Sequence, residues 1–437
     1  MTGSQWGLLA PEALPSSRRT RTLGLGRSVR QFNELAVPGL GGVQYAKQVL
    51  FTALSMAVAK RVEAWGLQFS HIEVANAIEA VACAIGYRQN GWQADVRLRG
   101  RNKLPRGTSA PDFRVASKRA FYVAQPMRMS TAQALPYLGL AEAHGARFNA
   151  FECTDSLDTF VSLCLEPFTV SQSNVVDHLG YWARGSTGLS WRSVGLTQAL
   201  HPLRPLPSPA RAWLKNALLQ GAALSPELRE RRQRAWTWLA RLHAQPATVE
   251  VLDQPTAPAE LDPQHWHDMR AGAQLVVVRD AAIAALDAVE RVLEARKGRS
   301  LPLSAPLPEP VLATLAMLAG HAKAYLALKH HDVDAQRFCA ECESGDAAAL
   351  RSLLLRDEQV LRLVDDCARP GPAYTGQPPA AAASAEEEGE SDDPAETDAP
   401  PVPAGISYRI RNLYRLQRDL EDAPQDATVH ATEEAAA

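Results

Sequence analysis

Apolar residues recur three and four positions apart through most of this chain. Between Gln44 and Trp65 they fall at Tyr45, Val49, Phe51, Leu54, Ala57, Val58, Val62 and Trp65, which predicts an amphipathic helix stopped by Gly66. Ser70 followed three residues later by Glu73 predicts a capping box, each side chain satisfying the other's backbone donor. The helix it opens would turn Ile72, Ala75, Ile78, Val81, Ala82 and Ile85 inward, and its closeness to the preceding helix predicts an antiparallel hairpin. Ser208-Pro209 and Ser225-Pro226 each place a capping serine before a proline, predicting helices over 209–219 and 226–244. Asp262-Pro263 opens another helical region, followed by expected helices over 269–297, 311–331, 335–342 and 347–367, with no period that suggests a repeat array.

The helical period lapses between these blocks. Trp92, Val96, Leu98 and Leu104 alternate with polar residues, which predicts a strand or hairpin with one apolar face, and Ala120–Gln125 reads as a second strand. Ser130, with Gln133 three residues on, predicts a capped helix to Leu138. Gly139 to Cys153 then reads as two strands around a tip at Gly145, and Thr154 to Leu165 as a helix.

Charge changes this picture most. Residues 1–150 carry 19 Lys and Arg against 8 Asp and Glu, so the overall net charge of -2 conceals a basic front and an acidic remainder. Between Arg88 and Arg128 there are ten cations and two acids. Arg97, Arg99, Arg101 and Lys103 have period two, which on an extended chain puts all four on one side, as a phosphate track or as the solubilised face of an edge strand. Arg106, Arg114, Lys118 and Arg119 continue the excess beyond any single strand, which favours phosphate binding.

The run Ser130-Thr-Ala-Gln-Ala-Leu-Pro-Tyr-Leu-Gly-Leu-Ala-Glu, with Gly145-Ala-Arg-Phe-Asn-Ala-Phe-Glu-Cys after it, resembles the recognition helix and wing of bacterial winged-helix domains. The resemblance spans about forty residues, and Pro136 departs from it by kinking the helix interior. It implies that Arg128, Thr131 and Gln133 stand near the exposed start of a helix that meets nucleic acid, with Arg147 beside the wing tip. Winged helices also serve as protein-contact modules, so both uses stand.

Other chemistry is sparse. Pro111-Asp112 with Ala116-Ser117-Lys118 lacks the second acid that a metal-dependent nuclease needs, and Gly24-Leu25-Gly26 lacks the third glycine of a phosphate loop. His330, His331, Asp332, Cys339 and Cys342 lack the paired knuckles of a structural zinc site, and six scattered cysteines predict free thiols in a reducing compartment. Trp236 and Trp238, beside Arg229, Arg231, Arg232 and Arg234, read as core residues at helical spacing. No catalytic motif, metal site or cofactor is expected, and no apolar run reaches the ~20 residues of a spanning helix.

The sequence thus predicts a mainly α, cytoplasmic protein in several parts. These are a flexible basic arm (1–22), a winged-helix-like basic domain with a little β structure (23–170), a junction (171–208) and an all-helical domain (209–369). A disordered acidic linker (370–404), an amphipathic basic helix (405–422) and a disordered tail (423–437) complete it. The function expected is non-catalytic binding of nucleic acid, DNA rather than RNA, as an accessory subunit of a bacterial mobile-element, genome-maintenance or phage-defence system. Protein partners would dock on the helical domain and the 405–422 helix. The other reading is a helical adaptor whose winged unit binds protein.

Overall fold

The computed structural model describes residues 21–245, 250–357, 359–375 and 402–421. Over these the chain is mainly helical. In order, its helices are α1 (Gly26–Ala36), α2 (Ala46–Glu63), α3 (His71–Gln89), α4 (Phe113–Ala116), α5 (Arg128–Thr131), α6 (Asp155–Leu165), α7 (Val175–Arg184) and α8 (Val194–Leu200). Then come α9 (Ser208–Gln220), α10 (Pro226–Ala244), α11 (Pro263–Ala295), α12 (Glu309–Ala327), α13 (Val333–Cys342), α14 (Ala347–Asp357) and α15 (Tyr408–Glu421). Seven short strands form three small antiparallel sheets: β1 (Ala141–Ala143) with β2 (Phe151–Cys153), β3 (Thr169–Val170) with β4 (Ser173–Asn174), and β5 (Leu301–Pro302) with β6 (Leu361–Val364) and β7 (Cys367–Pro370), in the order β5-β7-β6. None of the described helices is long and apolar enough to cross a membrane.

Contacts divide the chain into two compact units, each discontinuous in sequence: the larger falls within 32–270 and 389–437, the smaller within 1–31 and 271–388. In the larger unit the organising element is α2. Its positions are buried on every side except at Lys60, Arg61 and Glu63 near its end, so it is a central helix rather than the one-faced helix its spacing predicts. It packs on α3, α5, α6, α7 and α15. Ser70 caps α3 as expected, its Oγ accepting from Glu73 N at 3.2 Å while Ser70 N donates to Glu73 Oε2 at 2.9 Å. The 171–208 range, read as a junction, carries β4, α7 and α8 inside this unit. Trp238 and Trp266 meet edge to face in its core, and Trp236, two residues before Trp238, is also buried.

The 405–422 segment forms α15, and its apolar residues Ile410, Leu413, Leu416 and Leu420 are buried against α2, α9 and α10 of the same unit. That face is therefore spent within the chain and is not presented to a partner protein. Asp419 accepts from the backbone N of Ala46 at 2.8 Å and so caps α2.

In the smaller unit α12, α13 and α14 pack in sequence, and α14 leads into the β6–β7 hairpin. This corrects the expectation of an all-helical region up to 369, in which 347–367 was one helix. Asp357 ends α14 and accepts from the backbone N of Val360 (3.4 Å) and Leu361 (3.1 Å), after which Asp365 and Asp366, both at positive φ, make the two-residue reversal. Arg21, read as part of a flexible basic arm, is instead buried and paired with Asp287, Glu290 and Asp357. Residues 1–20 of that arm, 376–401 of the acidic linker and 422–437 lie outside the described residues.

Candidate nucleic-acid interface

The basic block is a long loop laid along one stripe of α3. The contacts recur at helical spacing. Asn76 Nδ2 donates to Ser117 O (3.3 Å), Glu79 accepts from the backbone N of Met127 (2.7 Å) and Arg128 (2.9 Å), and Cys83 Sγ shares a hydrogen bond with Tyr122 OH (3.1 Å). One turn further, Gly86 leaves room for Leu98, and Tyr87 stacks on Trp92 with ring centroids 5.3 Å apart. Positions 76, 79, 83, 86 and 87 share one face of a helix, so five successive fasteners hold a segment that has almost no regular structure of its own.

That segment departs from its period-two reading. Gly100 sits at φ +83 with the Tyr122 ring against it, and turns close at Leu98 N to Asp95 O and at Leu104 N to Gly100 O. A left-handed residue in the middle ends any extended run, so Arg97, Arg99, Arg101 and Lys103 do not alternate on a strand. Ala120–Gln125 likewise forms turns.

The expected site residues accordingly fall into two groups. Arg97 holds Asp95 in two-pronged fashion, Nη2 to Oδ2 at 2.9 Å and Nε to Oδ1 at 3.1 Å, and that hydrogen bonding raises its already high pKa. Arg99 donates to Gln125 O at 2.7 Å and Arg128 to Asn76 Oδ1 at 3.0 Å, so both fasten the loop. Thr131 is fully buried with its hydroxyl on Met127 O at 3.0 Å, and cannot reach a ligand. By contrast Arg101, Lys103, Arg106, Lys118, Arg119, Gln133 and Arg147 are exposed, and no ion pair joins these six cations to a carboxylate among the described residues. Arg119 lies close enough to Arg128 to disfavour its charge, after burial, the larger cause.

The helix expected to carry the reading head is short. Ser130 does not cap it; its Oγ turns back to Met127 O at 2.8 Å, and its carbonyl accepts from Gly42 N at 2.7 Å. α5 has four residues and continues as 3₁₀ turns over Ala132–Ala134 and Pro136–Leu138, divided where proline removes a donor. The two strands expected around Gly145 form the β1–β2 hairpin, which pairs Ala143 with Phe151 and has exposed His144 to Arg147 at its tip, and Thr154 caps α6 by accepting from Leu157 N at 3.2 Å.

Glu79 is what the sequence reading missed. Burial pushes its carboxyl up to about 7, against the opposing pull of the Arg128 and Met127 amides and the Arg128 and Arg99 guanidiniums. Its signal was present: it is the lone charged residue from Val74 to Tyr87. Half-buried Trp92, expected only as part of an apolar strand face, and half-buried Trp191, which the sequence reading passed over, each carry a cation. Arg106 lies over the Trp92 ring at 4.8 Å and Arg88 over Trp191 at 5.2 Å. Elsewhere, burial pushes the Cys342 thiol up to about 12, and among the described residues no three His, Cys, Asp or Glu side chains are grouped to hold a metal.

Comparisons with protein-family models, curated proteins and solved structures returned no match.

Proposed function

We propose that this chain is a non-catalytic nucleic-acid-binding protein, with DNA as its partner, acting as an accessory subunit of a larger bacterial system. One observation carries the reading: Arg101, Lys103, Arg106, Arg114, Lys118 and Arg119 stand exposed on a single fastened loop, where none is neutralised by a carboxylate among the described residues. Solvated cations held by a fixed backbone attract phosphates and release their counterions on contact. The β1–β2 hairpin, with Arg147 at its tip, is read as a reduced wing beside this loop, while α5 is too short to lie along a major groove.

The test is a salt titration of binding to duplex and single-stranded DNA. Replacing Arg101, Lys103, Lys118 and Arg119 by Gln is expected to flatten the log–log salt slope on duplex by about three to four, at roughly 0.9 per phosphate met. A wild-type chain without affinity for either DNA at low salt overturns the reading and leaves the protein-binding adaptor in its place.

A further inference from the structure

Trp92 and Trp191 share one neighbourhood with two arginines. Arg88 rests over Trp191, and its Nη1 donates to Gly107 O at 2.6 Å. Gly107 directly follows Arg106, which rests over Trp92, and Trp92 in turn stacks on the buried ring of Tyr87 with its plane 8° from parallel. Arg106 thus lies over the stacked Tyr87–Trp92 pair and Arg88 over Trp191, the two groups linked through the Gly107 carbonyl.

The first stack sits where the chain reverses at the end of α3. Trp92 has φ +60, a left-handed conformation that is uncommon for a bulky residue. Gly91 before it is also left-handed, at φ +67, and Trp92 N closes the reversal on Tyr87 O at 2.7 Å. Half-buried Trp92 lies against Tyr87 with the Arg106 guanidinium over its ring. A guanidinium on an aromatic ring has its inner face covered, and its outer face is left as a flat, weakly hydrated cationic plane. Such planes stack unpaired bases, whose faces a duplex hides and a single strand offers.

We propose that the Arg88 and Arg106 planes are base-stacking positions for single-stranded DNA, so that the loop favours unpaired over duplex strands. This rests on the reading of the loop as a nucleic-acid surface and names which nucleic acid it takes. Phosphates would lie along the neighbouring exposed cations, and each stacked base would add an attraction that no duplex supplies.

Charge and stacking separate on Arg→Lys substitution, which keeps the positive charge and removes the plane. Affinities of the full chain would be measured for an oligothymidine of about 16 nucleotides, at the upper end of single-strand site sizes, for an abasic strand of the same length and for the matching duplex. The wild type is expected to favour oligothymidine over the abasic strand by about tenfold or more, and the Arg88→Lys, Arg106→Lys double variant to lose that preference while its abasic and duplex affinities stay within about twofold. Trp92→Gly provides a second arm: glycine accepts the left-handed backbone, and the fasteners at Asn76, Glu79, Cys83 and Gly86 remain to hold the loop, which unchanged hydrogen exchange over 96–128 would check, so the same selective loss is expected. Equal wild-type affinity for thymidine and abasic strands, or an unchanged preference in the double variant, overturns this proposal and leaves the cationic surface standing. Absence of wild-type binding to all three strands overturns both.

Discussion

Glu79 is a carboxylate that its surroundings want neutral. It is fully buried, and two backbone N–H groups and two guanidiniums only partly offset the loss of water, so its pKa rises from an ordinary 4.5 to about 7. Between those values the folded chain keeps a proton that the unfolded chain has released, so stability falls as pH rises through that window and is highest below it. The change amounts to about 3 kcal/mol, since tenfold in proton affinity is worth roughly 1.4 kcal/mol. Denaturant midpoints at either end of this window should therefore differ, the acidic sample being the more stable. Glu79→Gln has no proton to exchange and leaves one of the two amide donors without an acceptor. It should flatten the dependence and cost about 1–3 kcal/mol at the acidic end. A variant that keeps the wild-type slope would show that another group titrates. Sequence placed Glu79 on a helix, but a lone acid there reads as solvent-facing, because what buries it arrives about fifty residues later.

At the scale of elements, the helices were legible and the basic loop was not. Capping boxes and serine–proline starts are local chemistry, so α3 and α10 begin where Ser70 and Ser225 place them. The loop is held by tertiary contacts to α3 that no window of sequence contains, and alternation at Val96, Leu98 and Leu104 imitated a strand. Of that pattern, Leu98 and Leu104 are both buried because the chain turns at Gly100, not because it extends. Gly100→Ala tests this directly. A methyl there would meet the Tyr122 ring at 3.0 Å on a backbone already at φ +83, and should cost about 1–3 kcal/mol as strain at a special backbone position. Hydrogen exchange should accelerate over 96–128 while α2 stays protected. Uniform acceleration across the larger unit would mean that the loop is not separately fastened. The β6–β7 hairpin escaped notice for a related reason: Asp365-Asp366 supplies a two-residue reversal without the glycine that normally announces one.

Over the whole molecule, order along the chain is a poor guide to what packs together. Composition and spacing divide the sequence linearly, whereas each compact unit draws on two separated stretches. The larger unit is closed by α15, whose helical period was plain in the sequence but whose docking site, on α2, α9 and α10, lies roughly 170 to 375 residues upstream. Ile410, Leu413 and Leu416 are wholly buried there, each contributing on the order of 1.5–3 kcal/mol, and Asp419 supplies the acceptor for the first amide of α2. Removing everything after Pro401 strips the central helix of both its cover and its cap. The truncated chain should lose several kcal/mol and expose enough apolar surface to aggregate or bind a hydrophobic dye. A synthetic peptide of residues 402–421 should restore the denaturant midpoint in a concentration-dependent manner, because it binds only the folded partner. Were the truncated chain as stable as the parent, α15 would be an accessory to the larger unit's core, and its apolar face would again be free to meet another protein.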